Sequence, residues 1–160
     1  MNMKTPTKNC PCQSGLNFAE CCSPYLTGER LPETPVALMR SRYTAYSLAD
    51  AAYIQRTMYG PALKGFDLAS ARRWASQVEW LGLKIISVPA IKPGNNKGYV
   101  EFYALINQEA GQKILYERSE FRLIENRWYY YSGSTPKINR NDLCFCQSGI
   151  KFKNCCLPKF

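Results

Sequence analysis

The chain has 160 residues, 46% of them apolar and 13% aromatic, with a formal charge of +9, eight cysteines and no histidine. Such a length and composition describe one folded domain with small appendages, and they exclude a disordered or low-complexity chain. Without histidine the commonest acid/base side chain near neutral pH is missing, while the basic balance favours encounter with anionic partners such as RNA, ribosomes or acidic protein surfaces.

In chain order, Met1 to Pro6 has no apolar run behind its lysine, so neither a signal peptide nor a membrane span is expected, and the expected compartment is the cytoplasm. Clustered cysteines in that reducing compartment are metal ligands more often than disulfides. Cys10, Cys12, Cys21 and Cys22 form a Cys-x-Cys-x8-Cys-Cys frame, and Cys144, Cys146, Cys155 and Cys156 repeat it. Eight of the thirteen positions from Cys10 to Cys22 recur between Cys144 and Cys156, and the frames hold every cysteine of the chain. Cysteines that served only for packing would scatter through a core. In the first frame Ser14 is expected to cap a short helix through Phe18, and Gly15 to let the backbone approach a metal closely. Leu26 to Pro35 reads as a linker.

Thr34 and Pro35 open a helix whose apolar face is Val36, Met39, Tyr43 and Tyr46. Asp50 caps a second helix through Ile54 that Gly60-Pro61 ends, and Asp67 a third through Trp74. From Trp80 the period changes to two. Strands are expected at 80–88, 98–107, 113–124 and 127–131, with a loop from Pro89 to Lys97. Helices followed by consecutive strands give an α+β fold, helices packed on an antiparallel sheet. The expected organisation is an N-terminal cysteine module at 1–28, a central domain at 29–136 and a C-terminal module at 137–160. On the third strand Glu117 shares the face of Leu115, Ser119 and Phe121, so it should point inward and pair with Arg40 or Arg42 of the first helix as a structural ion pair. Lys113, Arg118, Arg122 and Arg127 are expected on an outer solvated face. Trp74, Trp80, Trp128 and the Tyr129–Tyr131 run are expected in packing rather than in base stacking.

Four thiolates close a tetrahedral zinc site without an open position, so each frame is read as a structural site for Zn2+, two per chain. Each such site carries a net charge of about −2, which lowers the +9 by about 4. A module of this size cannot bury enough surface to fold alone, and metal binding of about 10 kcal/mol or more would supply its stability. Disulfides, an iron–sulfur cluster in an unusual frame and a redox-active Cys-x-Cys remain as alternatives.

Both frames resemble the SEC-C motif, named for the C-terminus of the preprotein translocase ATPase SecA. Cys10, Cys12, Ser14, Gly15, Phe18, Cys21 and Cys22 match its pattern, as do Cys144, Cys146, Ser148, Gly149, Phe152, Cys155 and Cys156. Lys151 and Lys153 flank the aromatic of the second copy, where the first has Asn17 and Ala19. The whole chain resembles the YchJ family, also through 38–43, 100–102, 117–119 and 128–130. The resemblance implies zinc modules flanking a cone-shaped central domain of the nuclear-transport-factor-2-like type. It names no biochemical role; SecA's motif implies contacts with a chaperone or with ribosomes. The leading expectation is a cytoplasmic adaptor that presents Lys151 and Lys153 to a protein or ribosomal partner. The alternative is a small-molecule binder or enzyme using the cone. A third is a thiol-redox sensor. A large pocket with convergent polar groups would favour the second, and a filled core the first.

Overall fold

A computed structural model describes residues 9–160; the expectation about the leading residues lies outside them. Among the described residues five α-helices precede four strands: α1 (Ser23–Thr27), α2 (Pro35–Ser47), α3 (Ala51–Arg56), α4 (Pro61–Lys64), α5 (Leu68–Gln77), then β1 (Glu79–Ser87), β2 (Lys97–Gln108), β3 (Gly111–Ile124) and β4 (Arg127–Ser134). The strands form an antiparallel meander in the order β1-β2-β3-β4. Register breaks at Trp80/Gly82, Ile85/Ser87 and Glu120/Phe121 interrupt the ladders, and bulges of this kind add twist and bend to a sheet. The α+β expectation holds.

The caps read from the sequence are in place. Thr34 accepts from the Ala37 amide, Asp50 from Tyr53 and Asp67 from Ser70, each satisfying a donor that a helix start leaves free. Two expectations differ. Ser23–Thr27 is helical up to a left-handed Gly28 where a linker was expected to begin. Gly60-Pro61 starts α4 instead of ending α3, because proline suits a first helical position.

Helix α2 crosses the inner face of the sheet. Leu38, Met39 and Tyr43 meet Leu83, Val100, Ala104, Phe121 and Trp128. The helix is buried beyond its expected apolar stripe, since Ser41, Arg42 and Thr44 are also inside. Its far side faces Tyr53, Ile54 and Met58, which pack with Ala45. The segment after α3 is stitched to β4: Tyr130 donates to Thr57 O and Tyr59 to Tyr130 O.

Register places Ile114 opposite Leu105 and Tyr116 opposite Tyr103 on the outer face. That face is covered by the second cysteine module. Among the described residues no helix is long and apolar enough to cross a membrane.

Candidate metal centres and a central cavity

The two cysteine frames fold into the same local structure. Cys10 N–H donates to Leu16 O at 2.9 Å and Cys144 N–H to Ile150 O at 2.8 Å, closing each loop. The Gln13 and Gln147 amides each donate 3.1 Å back to the first cysteine's carbonyl, and Cys21 and Cys155 follow one turn of 3-10 helix. Gly15 and Gly149 sit at φ of 83° and 77°, a left-handed conformation that glycine adopts without strain. A Cβ at either would meet no protein atom within 4 Å, so it is the left-handed turn that calls for glycine here. Ser14 caps no helix; Asn17 does so, through the Ala19 amide. Ser14 Oγ accepts from Leu16 N–H and lies 3.2 Å from Cys21 Sγ. Ser148 stands in the same relation to Ile150 and Cys155.

Within each frame the four sulfurs lie within 4.8 Å of one another. Cys12 and Cys21 are 3.6 Å apart, Cys146 and Cys155 3.5 Å, and both adjacent pairs 3.9 Å. A tetrahedral ion with sulfur ligands at about 2.3 Å requires sulfur–sulfur edges of about 3.8 Å. The spacing fits such an ion and lies far outside the roughly 2.05 Å of a disulfide. The thiols also answer to one another. Hydrogen bonds from Cys10 and Cys22 hold Cys12 far below the usual thiol range, whereas burial pushes Cys21 up to about 11. Burial opposes ionisation of Cys146, but bonds from Ser148, Cys155 and Cys144 bring it down to about 6; burial pushes Cys144 and Cys156 up. Four thiols this close cannot all ionise unless a cation joins them.

The modules are seated differently. In the first, Gln13 donates to Leu81 O and accepts from Leu83 N–H across the β1 bulge, Arg40 donates to Cys12 O at 2.8 Å, and Cys10 Sγ approaches Thr44. Cys10, Cys12 and Cys22 join the main core. The second rests on aromatic contact: the Phe145 ring stacks on Tyr116 with centroids 4.0 Å apart and planes at 11°. Phe152 is buried beneath it, while Lys151 and Lys153 are exposed.

Between the helices and the sheet lies a cavity of about 580 Å³. Tyr46, Trp74, Trp80, Phe102 and Leu115 wall it, with Lys113 and Phe160 also lining it. Tyr46 and Trp80 stack at 5.6 Å, and Trp74 meets Trp80 edge-on at 5.5 Å. Arg42, Glu117, Ser119 and Tyr130 supply its polar groups. Ser119 donates to Glu117 Oε1 at 2.6 Å and Tyr130 at 3.0 Å. A Cβ on Gly133 would fall 2.2 Å from that same oxygen. Burial, then the Glu117 charge, raises the Tyr130 phenol and keeps it a donor.

Several site expectations change. Glu117 points inward, but the expected ion pair does not form: its bonds go to Ser119 and Tyr130, while Arg40 binds a carbonyl of the first module. Arg42 donates to Ile54 O and Thr57 Oγ1 and lies over the Tyr130 ring. The physical reason is that Tyr130 stands between helix and carboxylate, touching both. Lys113 lines the cavity, whereas Arg118, Arg122 and Arg127 cover tyrosine rings. Trp128 is core, but Trp74 and Trp80 are cavity walls. Sequence reasoning missed the walls because stripes that line a cavity and stripes that fill a core have the same periodicity.

The family model described as the YchJ middle NTF2-like domain matches residues 34–133, and the SEC-C motif matches 7–24 and 140–158. A UPF0225 protein of Geobacter sulfurreducens is 40% identical over 158 residues, which is 94% of this chain and 98% of that protein. One of Serratia proteamaculans is 37% identical over 92% and 96%. The solution structure of a SEC-C motif containing protein from Rhodopseudomonas palustris is 35% identical, with a TM-score of 0.73 over 81% of this chain and 99% of that one. A crystal structure of such a protein from Psychrobacter arcticus gives 28% and 0.71 over 96% and 97%. The chain belongs to the YchJ-type UPF0225 family, an NTF2-like middle domain with a SEC-C motif at each end.

Proposed function

We propose that this is a two-zinc, cytoplasmic small-molecule-binding protein, in which the cysteine modules brace the cone and the central cavity takes the ligand. The observation that carries the reading is the cavity of about 580 Å³, walled by aromatic rings with Arg42, Glu117, Ser119 and Tyr130 converging on it. A filled core would have spoken for a passive scaffold. A concave, mostly aromatic-walled pocket of this size that opens to solvent and gathers a few polar groups has the usual form of a small-molecule site.

Zinc suits the paired thiolate sets because it takes four soft ligands tetrahedrally and needs no redox chemistry. When bound, it would hold each loop and offset half of its thiolate charge; Cys10, Cys12, Cys21 and Cys22 would hold one ion and the C-terminal four the other. Two measurements test the proposal. Metal analysis should return two zinc ions per chain, and one after Cys144→Ser. N-phenylnaphthylamine, a neutral aromatic dye, should bind at one saturable site with energy transfer from Trp74 and Trp80. No saturable binding to the folded protein would overturn the ligand reading, and paired thiols without zinc would overturn the metal reading.

The adaptor reading keeps one supporting observation. Lys151 and Lys153 are exposed beside Ile150 and Leu143, which are 49% and 70% exposed. This basic, partly apolar tip would meet an acidic protein surface or ribosomal RNA without involving the cavity.

A further inference from the structure

Arg42 is a buried cation with no carboxylate in contact. It is 5% exposed, and both of its hydrogen bonds to the chain leave from Nη1, to Ile54 O at 2.9 Å and to Thr57 Oγ1 at 2.6 Å. One face of the guanidinium lies 4.5 Å from the Tyr130 ring centre. Nε and Nη2, the edge that grips a carboxylate in two parallel bonds, have no acceptor among the described residues. The group lines the cavity. A buried arginine is ordinarily paired, yet α2 contains no Asp or Glu. Glu117, the acid that lines the same space, holds two hydroxyl donors on Oε1 instead.

The charged side chains lining the cavity are therefore Arg42, Lys113 and Glu117, one positive side chain in excess. The titratable groups packed around them are the phenols Tyr43, Tyr46, Tyr116 and Tyr130, neutral near pH 7 as any phenol is, and raised further by burial. We propose that the cavity selects a monoanionic aromatic acid: its carboxylate or sulfonate docks on the free edge of Arg42, and its ring lies against Tyr46 and Trp80. The second oxygen of Glu117 then accepts a hydroxyl or amine hydrogen of the same ligand, so an aromatic hydroxy acid engages both Arg42 and Glu117. This assignment rests on the ligand-binding reading above and adds the charge of the ligand.

A matched pair of dyes tests it. Anilinonaphthalenesulfonate is N-phenylnaphthylamine with one sulfonate added. The folded full-length chain should bind the sulfonate about tenfold or more tightly than the neutral dye, the worth of a charge-assisted hydrogen bond. Arg42→Met should erase that preference, and Arg42→Lys should keep part of it. Glu117→Gln should strengthen sulfonate binding relative to neutral-dye binding several-fold by removing a like charge, since the amine hydrogen that Glu117 would accept is common to both dyes. Equal affinity of the two dyes for the unaltered protein would overturn the charge assignment and leave the cavity reading standing; binding of neither would overturn the cavity reading. Should Arg42→Met fail to fold, Glu117→Gln decides: a sulfonate preference indifferent to that change places the anion outside the cavity and overturns the proposal.

Discussion

Tyr53 shows how much of the cone hangs on single polar contacts. It is 2% exposed, and its hydroxyl lies 2.7 Å from Ser41 Oγ. Ser41 spends its own hydrogen on Leu38 O, so the phenol must be the donor. Burial, against the bond from Ser41, pushes Tyr53 up to about 12 from an ordinary value of 10.0. A raised folded-state value means the contribution is complete below about pH 10 and is lost as pH climbs towards 12, because the unfolded chain ionises first. Tyr53→Phe should cost about 1 kcal/mol near neutrality and flatten the fall in stability between about pH 10 and 12. Urea unfolding at both ends of that window reads the two effects. A variant with an unchanged alkaline slope would show that Tyr53 titrates freely. Such a residue is legible in sequence only as one more apolar position of α3; its partner Ser41 carries no pattern of its own.

At the level of elements, β3 serves two cores. Leu115, Phe121 and Leu123 face the helices, and Ile114 and Tyr116 face the second cysteine module. The alternation along β2 and β3 was plain in the sequence, as were the three caps. What covered the outer face was not, because a polar–apolar alternation does not say whether the second face meets water or a short folded loop. The seating of that module should be separable from its metal. Phe145→Ala leaves every cysteine in place but removes the ring stacked on Tyr116. It should keep two metal ions per chain, cost about 3 kcal/mol, and make the segment between β4 and Cys144 cleave faster under limited proteolysis. Loss of metal alongside the contact would mean that docking and coordination are one event.

The whole molecule is a sheet gripped on both sides by copies of one motif. Where the repeated residues act is local and was readable: the same cysteines, serine and glycine build the same loop twice. Where each copy docks depends on non-repeated positions, Gln13 with Arg40 at one end and Phe145 at the other, whose partners lie far away in the chain. The cavity was equally hidden, since no local pattern records that the helices cover only part of the sheet's inner face. The exposed tip gives the prediction proper to this scale. Binding of the unaltered chain to ribosomes or to an acidic protein should fall steeply with salt if the tip recruits a partner, and Lys151→Glu with Lys153→Glu should weaken that binding and flatten its salt dependence, while dye binding in the cavity stays as it was. An unchanged salt profile would retire the adaptor reading.

The first module waits for its seat. Its cysteines leave the ribosome early, but the Leu83 amide that Gln13 grips lies 70 residues later. At roughly 5–20 residues per second of synthesis, four thiols stay unshielded for several seconds of every translation cycle. An ion captured or an oxidant met in that interval would act on the loop before its seat exists, so metal supply and thiol chemistry during elongation would bear on the yield of folded protein.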